Sequence, residues 1–342
     1  MRITLVGAGA IGGLLGTRLA AAGHEVSALA RGATLAALRT HGWRLRSGGA
    51  LLEAPLAMAS DDAALLGTQD LVIVALKAYA LPDVAPRLTP LLGEQTRILS
   101  AMNGVPWWFT HDIAAAGTEP LASVDPGGAI ARALPVARTL GGVVHMSASI
   151  AEPGVADHTM GLGIILGDAT PEALARGLPA SEIVAVFRSA GFDATHSSEI
   201  RRDVWYKLWG NLTLNPISVL TEAMSDQIIE DPLVRAFSTS CMLETAAIGA
   251  RLGYAIAQSP DDRHAVTARL GGFRSSMLQD AQAGRPLELD GIVGATRELG
   301  RRVGVATPAI DTLYGLTRLL AVNRNLLAVP ATSSPGPGQD PR

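Results

Sequence analysis

The chain has 342 residues, of which 48% are hydrophobic and 17% charged, and its formal net charge is −3. One compact core seldom uses this many residues, so the length predicts two domains. The apolar content argues against a disordered chain. The weak negative charge, without clustered Lys and Arg, argues against nucleic acid or an anionic membrane as a partner.

Redox and targeting signals favour the cytoplasm. The single cysteine, Cys241, cannot form an internal disulfide or a cysteine-rich metal site, so no metal is expected and a reducing compartment fits. The apolar N-terminal run holds five glycines before residue 17, so we interpret it as a strand and a turn rather than a signal peptide. No charge-free apolar stretch reaches the ~20 residues that span a bilayer.

The N-terminal segment predicts a strand, a turn, a helix and a second strand. Residues 3–6 form a short apolar segment. Residues 11–22 follow as an apolar helix that Gly23 ends, and residues 24–30 form another extended segment. This order of elements is typical of a parallel sheet.

Polar residues follow two further predicted strands, residues 71–76 and 97–100. Lys77 comes directly after the first of them, and Asn103 comes shortly after the second. An open α/β sheet binds its ligands beyond the carboxyl ends of its strands. We therefore expect both side chains to lie at a binding site.

The pattern changes twice after residue 140. Residues 143–147 and 163–166 predict two strands around a turn at residues 152–154. After residue 192, long amphipathic stretches predict helices as far as about residue 320. The sequence thus predicts an α/β half and then a mostly helical half, with the boundary near residue 198. Residues 328–342 are rich in Pro, Ser and Gly and are predicted to be a disordered tail.

A glycine-rich turn joins the first predicted strand to the first predicted helix. Its sequence, Gly7-Ala8-Gly9-Ala10-Ile11-Gly12, has the G-x-G-x-x-G pattern of dinucleotide-binding proteins. The first glycine permits a tight turn, the second lets a pyrophosphate approach the backbone, and the third allows close packing of helix and strand. Amides at the helix N-terminus favour the phosphate charge. The pattern predicts that Gly7, Gly9, Ala10, Ile11 and Gly12 bind a dinucleotide.

Arg31 indicates which dinucleotide binds. It follows the second predicted strand, where an NAD or FAD site usually has Asp or Glu to bind the ribose hydroxyls. A guanidinium can instead hold a 2′-phosphate bidentately and stack on adenine. A solvated surface arginine is the alternative interpretation. Because the acid is missing, the sequence favours NADPH as the cofactor.

Residues 204–216 carry the most informative polar pattern of the second half. Lys207, Asn211 and Asn215 are spaced by four, so on a helix they share one face. Burying polar groups in so apolar and aromatic a segment is costly unless they have partners. The alternative is an ordinary polar stripe on an amphipathic helix, and Pro216 disfavours helical geometry at Asn215.

These motifs occur in an order that resembles the 2-dehydropantoate 2-reductase (ketopantoate reductase) family up to about residue 325. The matching segments are the glycine turn, Arg31, Leu76-Lys77-Ala78, Asn103-Gly104-Val105, Asp125-Pro126-Gly127-Gly128, Gly141-Gly142-Val143, Glu152-Pro153-Gly154-Val155, residues 205–216, Ser275-Ser276-Met277-Leu278-Gln279-Asp280 and Glu288-Leu289-Asp290. The resemblance implies a Rossmann-like NADP-binding domain over residues 1–198. It implies an all-helical substrate and catalytic domain over residues 199–327.

The resemblance also implies which residues are catalytic. Lys207 corresponds to the family's general acid, and Glu288 corresponds to a glutamate near the lysine and the substrate. Asn103 corresponds to an asparagine beside the nicotinamide and the substrate carbonyl. Hydride transfer to a keto carbon leaves a developing alkoxide, which a nearby ammonium can stabilise and protonate.

Binding roles follow from the resemblance in the same way. Asn211 and Asn215 correspond to asparagines that hold the substrate, and Ser276 corresponds to a serine that binds its carboxylate. Arg31 and Lys77 correspond to a basic pair on the NADP side of the site. The expected partner is therefore a small 2-keto acid, and the sequence leaves a homodimer open.

Three functions remain open on the sequence alone. The first is NADPH-dependent reduction of 2-dehydropantoate to pantoate, in pantothenate and coenzyme A biosynthesis. The second is reduction of another branched or aromatic 2-keto acid, because the bulky pair Trp107 and Trp108 could line a different pocket. The third is a non-catalytic NADP-binding regulator. The joint presence of Lys207, Asn211 and Glu288 argues against a regulator, since a sensor needs no proton donor.

Overall fold

The computed structural model describes residues 1–174 and 177–327, which form ten strands of one sheet. The strands are β1 (Arg2–Val6), β2 (Glu25–Leu29), β3 (Trp43–Ser47), β4 (Ala50–Ala54), β5 (Ala59–Ser60), β6 (Gln69–Val74), β7 (Leu92–Ser100), β8 (Thr139–Glu152), β9 (Val155–Asp168) and β10 (Asp193–His196). Their order is β4-β3-β9-β8-β7-β6-β1-β2-β5, and β10 pairs with β9. Each predicted strand is present, with ends that differ by up to eight residues. The predicted tail, residues 328–342, lies outside the described residues.

Helices connect the strands of the first half and make up most of the second half. Those of the first half are α1 (Ala10–Ala21), α2 (Gly32–His41), α3 (Leu81–Val84), α4 (Ala129–Ala133), α5 (Pro171–Leu174) and α6 (Ala180–Ser189). Those of the second half are α7 (Ile200–Thr221), α8 (Ser225–Glu230), α9 (Pro232–Arg251), α10 (Pro260–Arg269), α11 (Ser276–Gln282), α12 (Ala295–Arg302) and α13 (Pro308–Asn323). The predicted α/β fold with a helical C-terminal half is confirmed. Within the described ranges, no helix has the length and apolarity needed to cross a bilayer.

A parallel region of the sheet creates the binding edge. Strands β5, β2, β1, β6, β7 and β8 are paired in parallel, in that order. Helices or loops cover both faces of this region, so its strands are apolar on both sides. In β6, for example, residues 71–74 are all fully buried. The carboxyl ends of these strands lie at one edge, which brings together the glycine turn, Arg31, Lys77 and Asn103.

The two faces of the sheet belong to two different apolar cores. On one face, Ile3 of β1 packs with Leu14 of α1 in a core confined to the first half. On the other face, Val72 of β6 belongs to the same core as Trp205 of α7. The helical half is therefore packed directly on one face of the sheet. The division of the chain at residue 198, just before α7 begins, stays a prediction.

Helix α7 carries the predicted polar stripe across this shared core. Its buried residues Trp205, Leu208, Trp209 and Leu212 recur at the spacing of one helical face. The indole N–H of Trp209 donates to the carbonyl oxygen of Met242 at 2.8 Å, so burial leaves it satisfied. The helix continues through Pro216 to Thr221, and Asn215 keeps a helical position despite the proline.

Candidate active site

The glycine turn has the geometry that its pattern predicts. Gly7 has a φ of +94°, in the region that favours glycine. A Cβ atom on Gly12 would lie 1.9 Å from the carbonyl oxygen of Gly7, so the turn cannot close around a larger residue. A Cβ atom on Gly9 would meet no protein atom within 4 Å. The space above Gly9 is thus open to a ligand, while Gly12 is needed by the protein itself.

The N-terminus of α1 can accept a phosphate. Its N-cap residue, Gly9, supplies no side-chain hydrogen bond, and the first turn contains no acidic residue. The first amides of a helix have no partner within the helix, and the helix dipole adds positive charge there. The residues present at this turn therefore fit a dinucleotide pyrophosphate.

Arg31 is free to meet a second phosphate. It is exposed at the end of β2, where it is the N-cap residue of α2. In residues 1–174 and 177–327 its guanidinium has neither an ion pair nor a hydrogen bond. A cation without a protein partner at this edge of the sheet fits the 2′-phosphate of NADP.

Lys207 projects from α7 onto the strand ends. Its Nζ donates to Oδ1 of Asn103 at 2.7 Å and to the carbonyl oxygen of Val144, in β8, at 2.7 Å. Desolvation lowers the pKa of Lys207 to about 8, and the negative charge of Glu288 opposes this shift. The result is an ammonium whose pKa lies close to neutral pH, which suits a proton donor.

Glu288 is held by the first half of the chain. Its Oε1 accepts the backbone N–H of Ala78 at 3.0 Å, and its Oε2 accepts Nζ of Lys77 at 3.1 Å. Nζ of Lys77 also donates to Oδ2 of Asp280 at 2.7 Å, and Arg285 donates to the other oxygen of Asp280 at 2.9 Å. Burial lowers the pKa of Lys77, but the charges of Glu288 and Asp280 outweigh burial and raise it. These contacts join the two halves beside the cleft.

Two of these contacts were not anticipated. The sequence placed Lys77 with Arg31 on the NADP side, whereas its Nζ here binds two carboxylates of the helical half. In the sequence Asp280 stands out only as part of a motif, yet it is 4% exposed and pairs with two cations. An acidic residue two positions after the apolar pair Met277 and Leu278 is the one local signal in the sequence that points to it.

The remaining predicted residues differ in how close they lie to Lys207. Asn211 lines a cleft with Lys207, Asn103, Met102, Gly104, Gly142 and Val143. Asn215 is 4% exposed, one turn further along α7, and Ser276 is the exposed first residue of α11. Neither belongs to the lining of this cleft. In this cleft the structure brings together Lys207, Asn103 and Asn211, and the roles of all the predicted site residues stay predictions.

The loop after β7 is fixed by the helical half. The N–H of Val105 donates to the carbonyl oxygen of Gly291 at 2.9 Å. Gly291 lies in a π-helical turn, Asp290–Gly294, that begins two residues after Glu288. A π turn frees a carbonyl from the regular ladder, and such turns are frequent at functional sites. This contact fixes the loop of Asn103 relative to Glu288.

Trp107 and Trp108 do not form a substrate pocket. Both lie in the apolar core, where Trp108 is fully buried. Their indole N–H groups are satisfied inside the protein, by the carbonyl oxygen of Leu134 at 3.2 Å and by Oγ of Ser100 at 2.8 Å. The feature that favoured an aromatic substrate is therefore a packing feature.

Comparison with known proteins identifies the family of this chain. Residues 3–171 match the family model "Ketopantoate reductase PanE/ApbA", and residues 199–321 match "Ketopantoate reductase PanE/ApbA C terminal". A 2-dehydropantoate 2-reductase of Mesorhizobium japonicum is 42% identical over 95% of this chain and 99% of its own length.

Solved structures share the fold across nearly the whole chain. A candidate ketopantoate reductase of Ralstonia solanacearum has a TM-score of 0.89 and 50% identity, over 95% of this chain and 99% of its own. D-mandelate dehydrogenase with NADH and anilino(oxo)acetate has a TM-score of 0.81 over 95% of this chain and 100% of its own. At 21% identity the second likeness shows the fold alone. The fold, with its α/β half and its helical half, is that of an NAD(P)-dependent oxidoreductase. Within that class, the chain belongs to the ketopantoate reductase family.

Proposed function

We propose that this protein reduces 2-dehydropantoate to pantoate with NADPH. The observation that carries the proposal is the position of Lys207, whose ammonium meets Asn103 at the strand ends beside the predicted nucleotide site. The 42% identical relative named 2-dehydropantoate 2-reductase supports the same substrate. Arg31, without a partner in the described residues and without an acid beside it, supports NADPH rather than NADH.

The nucleotide would lie along the binding edge of the sheet. Amides of Ala10, Ile11 and Gly12 would hold its pyrophosphate, Gly7 and Gly9 would leave room for it, and Arg31 would bind the 2′-phosphate. When bound, the dihydronicotinamide supplies the hydride. The proton donor and the groups that orient it belong to the protein.

Lys207 would hold the proton for the carbonyl oxygen of the substrate. As negative charge develops on that oxygen, the ammonium stabilises it and then donates its proton. Asn103 orients the ammonium through its Oδ1, and the carbonyl of Val144 fixes the second N–H direction. Asn211, on the same face of α7, can bind a substrate oxygen without adding charge.

Glu288 would favour the protonated form of Lys207 through its negative charge. It keeps the pKa of Lys207 from falling further, so that the ammonium is present at neutral pH. Lys77 and the N–H of Ala78 fix the carboxylate where it can act in this way. The cytoplasm is the expected site of action, and Asn215 and Ser276 are proposed to complete substrate binding.

Steady-state NADPH oxidation with a panel of 2-keto acids tests the proposal. We expect the highest kcat/KM with 2-dehydropantoate, lower values with 2-oxoisovalerate and phenylpyruvate, and a preference for NADPH over NADH. A higher kcat/KM with phenylpyruvate would contradict the substrate. Failure to oxidise NADPH with any of these acids would contradict the reaction itself.

A further inference from the structure

Helix α9 carries an uncharged, mostly apolar face that is exposed along its whole length. Six exposed residues recur there at the spacing of one helical face: Leu233, Ala236, Ser240, Leu243, Ala247 and Ala250. With 3.6 residues per turn, these positions lie within an arc of about 100°. Leu233 is 81% exposed and Leu243 is 56% exposed. Single exposed leucines are ordinary, but a continuous face of this kind indicates a docking surface.

The one polar side chain of this face is already satisfied within the helix. The hydroxyl of Ser240 donates to the carbonyl oxygen of Ala236 at 3.2 Å. A partner can therefore cover the face without leaving a side-chain donor unpaired, which would cost free energy. The face is thus suited to a dry contact.

The order of residues on this face is complementary to itself when it is read in the opposite direction. Three pairs of positions are equally far from the middle of α9: Ser240 with Leu243, Ala236 with Ala247, and Leu233 with Ala250. Two copies of α9, packed antiparallel about a twofold axis at that middle, would place each leucine against a serine or an alanine of the other copy. The small residues let the two helix axes approach to ~8–10 Å.

The charges at the two ends of α9 fit the same antiparallel arrangement. Glu230 and Asp231 come directly before the helix, Arg251 is its last residue, and all three are exposed. Among residues 1–174 and 177–327, none of the three has an ion-pair partner. The two ends are ~30 Å apart along the helix. In an antiparallel pair, the acidic end of one copy would therefore lie at the arginine of the other, once at each end of the contact.

Helix α13 adds apolar surface beside α9. Its N-terminus is fixed to α9, because the carboxylate of Glu244 accepts the N–H groups of Ala309 and Ile310 at 2.9 and 3.0 Å. Three exposed apolar residues recur along it at helical spacing: Leu316, Leu319 and Val322. A standard interface buries ~800 Å² per partner, whereas a helix ~30 Å long and ~10 Å wide offers less than half of that. A stable dimer therefore needs α13 as well as α9.

The opposite side of α9 packs on α7, away from the catalytic cleft. The carbonyl oxygen of Met242 accepts the indole N–H of Trp209, and a Cβ atom on Gly249 would lie 2.1 Å from Nε1 of Trp205. Lys207 is two residues from each of these tryptophans, so it projects from the other side of α7. A partner on the exposed face of α9 would leave the cleft of Lys207 open.

We propose that the exposed face of α9, with α13 beside it, is the interface of a homodimer in which the two α9 helices are antiparallel. The occupant is a second copy of this chain, because the face is self-complementary in size and its two ends are opposite in charge. The contact is isologous, so Leu243 lies near the twofold axis and occurs twice in it. The inference is independent of the substrate and of the cofactor.

Light scattering coupled to size-exclusion chromatography tests the oligomeric state of the full chain. We expect the wild-type protein at micromolar concentration to have twice the chain mass of 35.4 kDa. Leu243→Glu should have the mass of one chain, because the axis would bring two carboxylates together in an apolar contact. Leu65→Glu, at a leucine of the first half that is 64% exposed, is the matched control and should stay a dimer. A monomeric wild-type protein, or a Leu243→Glu protein that stays dimeric, would overturn the inference.

Disulfide cross-linking tests the antiparallel register and does not depend on the folding of Leu243→Glu. Ala236→Cys and Ala247→Cys are produced singly and co-expressed, and each preparation is treated with oxidised glutathione. In the proposed dimer, position 236 of one copy lies opposite position 247 of the other, within the ~7 Å between Cα atoms that a disulfide can bridge. Two copies of the same position lie ~16 Å apart along the helices. The native Cys241 is buried.

We therefore expect disulfide-linked dimers in the co-expressed preparation and none in either single variant. Linked dimers of a single variant would show that the helices meet in another register or in parallel, and would overturn the inference. The absence of linked dimers from the co-expressed preparation would overturn it as well.

Discussion

The nucleotide end and the catalytic end of the cleft are built in different ways. At the proposed nucleotide end, one turn of backbone between β1 and α1 would form most of the site, and Arg31 is exposed without a protein partner in the described residues. At the catalytic end, side chains from separate elements hold one another. Lys207 binds Asn103, and Lys77 binds Glu288 across 211 positions of the chain.

This difference implies different responses to mutation. Backbone amides remain after most substitutions. Nucleotide binding should therefore weaken only where a new side chain fills the space of the pyrophosphate or where the 2′-phosphate loses its cation. The side chains of the catalytic end depend on one another, so loss of one should change the charge and position of the others. The following variants test this contrast.

Removal of the proton donor should have the largest effect. We expect Lys207→Ala to lower kcat about a hundredfold or more, because the ammonium is needed as the alkoxide forms. The affinity for NADPH, measured by calorimetry, should stay near the wild-type value. Arg202→Ala, on the exposed side of the first turn of α7, is the control for helix integrity. A Lys207→Ala protein with wild-type melting temperature and wild-type kcat would show that the proton comes from another group.

Substitutions at two glycines of the same turn should have different effects, one on stability and the other on NADPH binding. Gly12→Ala should lower the melting temperature strongly, because its Cβ would lie 1.9 Å from a backbone oxygen that cannot move aside. Gly9→Ala should leave the melting temperature unchanged, because its Cβ meets no protein atom, yet raise the KM for NADPH. Thermal denaturation and NADPH titration of both variants give the comparison. Unchanged NADPH affinity in Gly9→Ala would show that the pyrophosphate does not approach this turn.

Loss of the Arg31 guanidinium should change the KM for one cofactor only. We expect Arg31→Ala to raise the KM for NADPH about ten- to a hundredfold, the usual effect of losing a charge-assisted phosphate contact. The KM for NADH should hardly change, since NADH has no 2′-phosphate. Steady-state kinetics with both cofactors measures the ratio of the two KM values. Equal use of NADPH and NADH by the wild-type protein would contradict the assigned preference.

The pH dependence of kcat should be determined by groups of the catalytic end alone. In the proposed mechanism the protonated form of Lys207 is the active one, so kcat should fall as pH rises through about 8. Glu288 raises the pKa of Lys207, so Glu288→Gln should move this fall to lower pH. Asp311→Asn, an exposed carboxylate at the start of α13, is the matched control and should leave the profile unchanged. A fall in kcat at the same pH in wild type and Glu288→Gln would show that the two groups do not interact.

The sequence by itself determined the local features. The strand and helix periods, the glycine turn, Arg31 after β2 and the stripe of Lys207 and Asn211 could all be predicted, because each depends on residues a few positions apart. Helix α7 even tolerates Pro216, since the packing of its apolar face outweighs one missing hydrogen bond.

Only the tertiary structure decided which distant groups meet. Lys77 pairs with Asp280, 203 positions away, because the helical half packs on one face of the sheet. The same packing buries Trp107 and Trp108 in the core. Ion pairs and close contacts of this kind depend on distances in space, which no local period or spacing encodes.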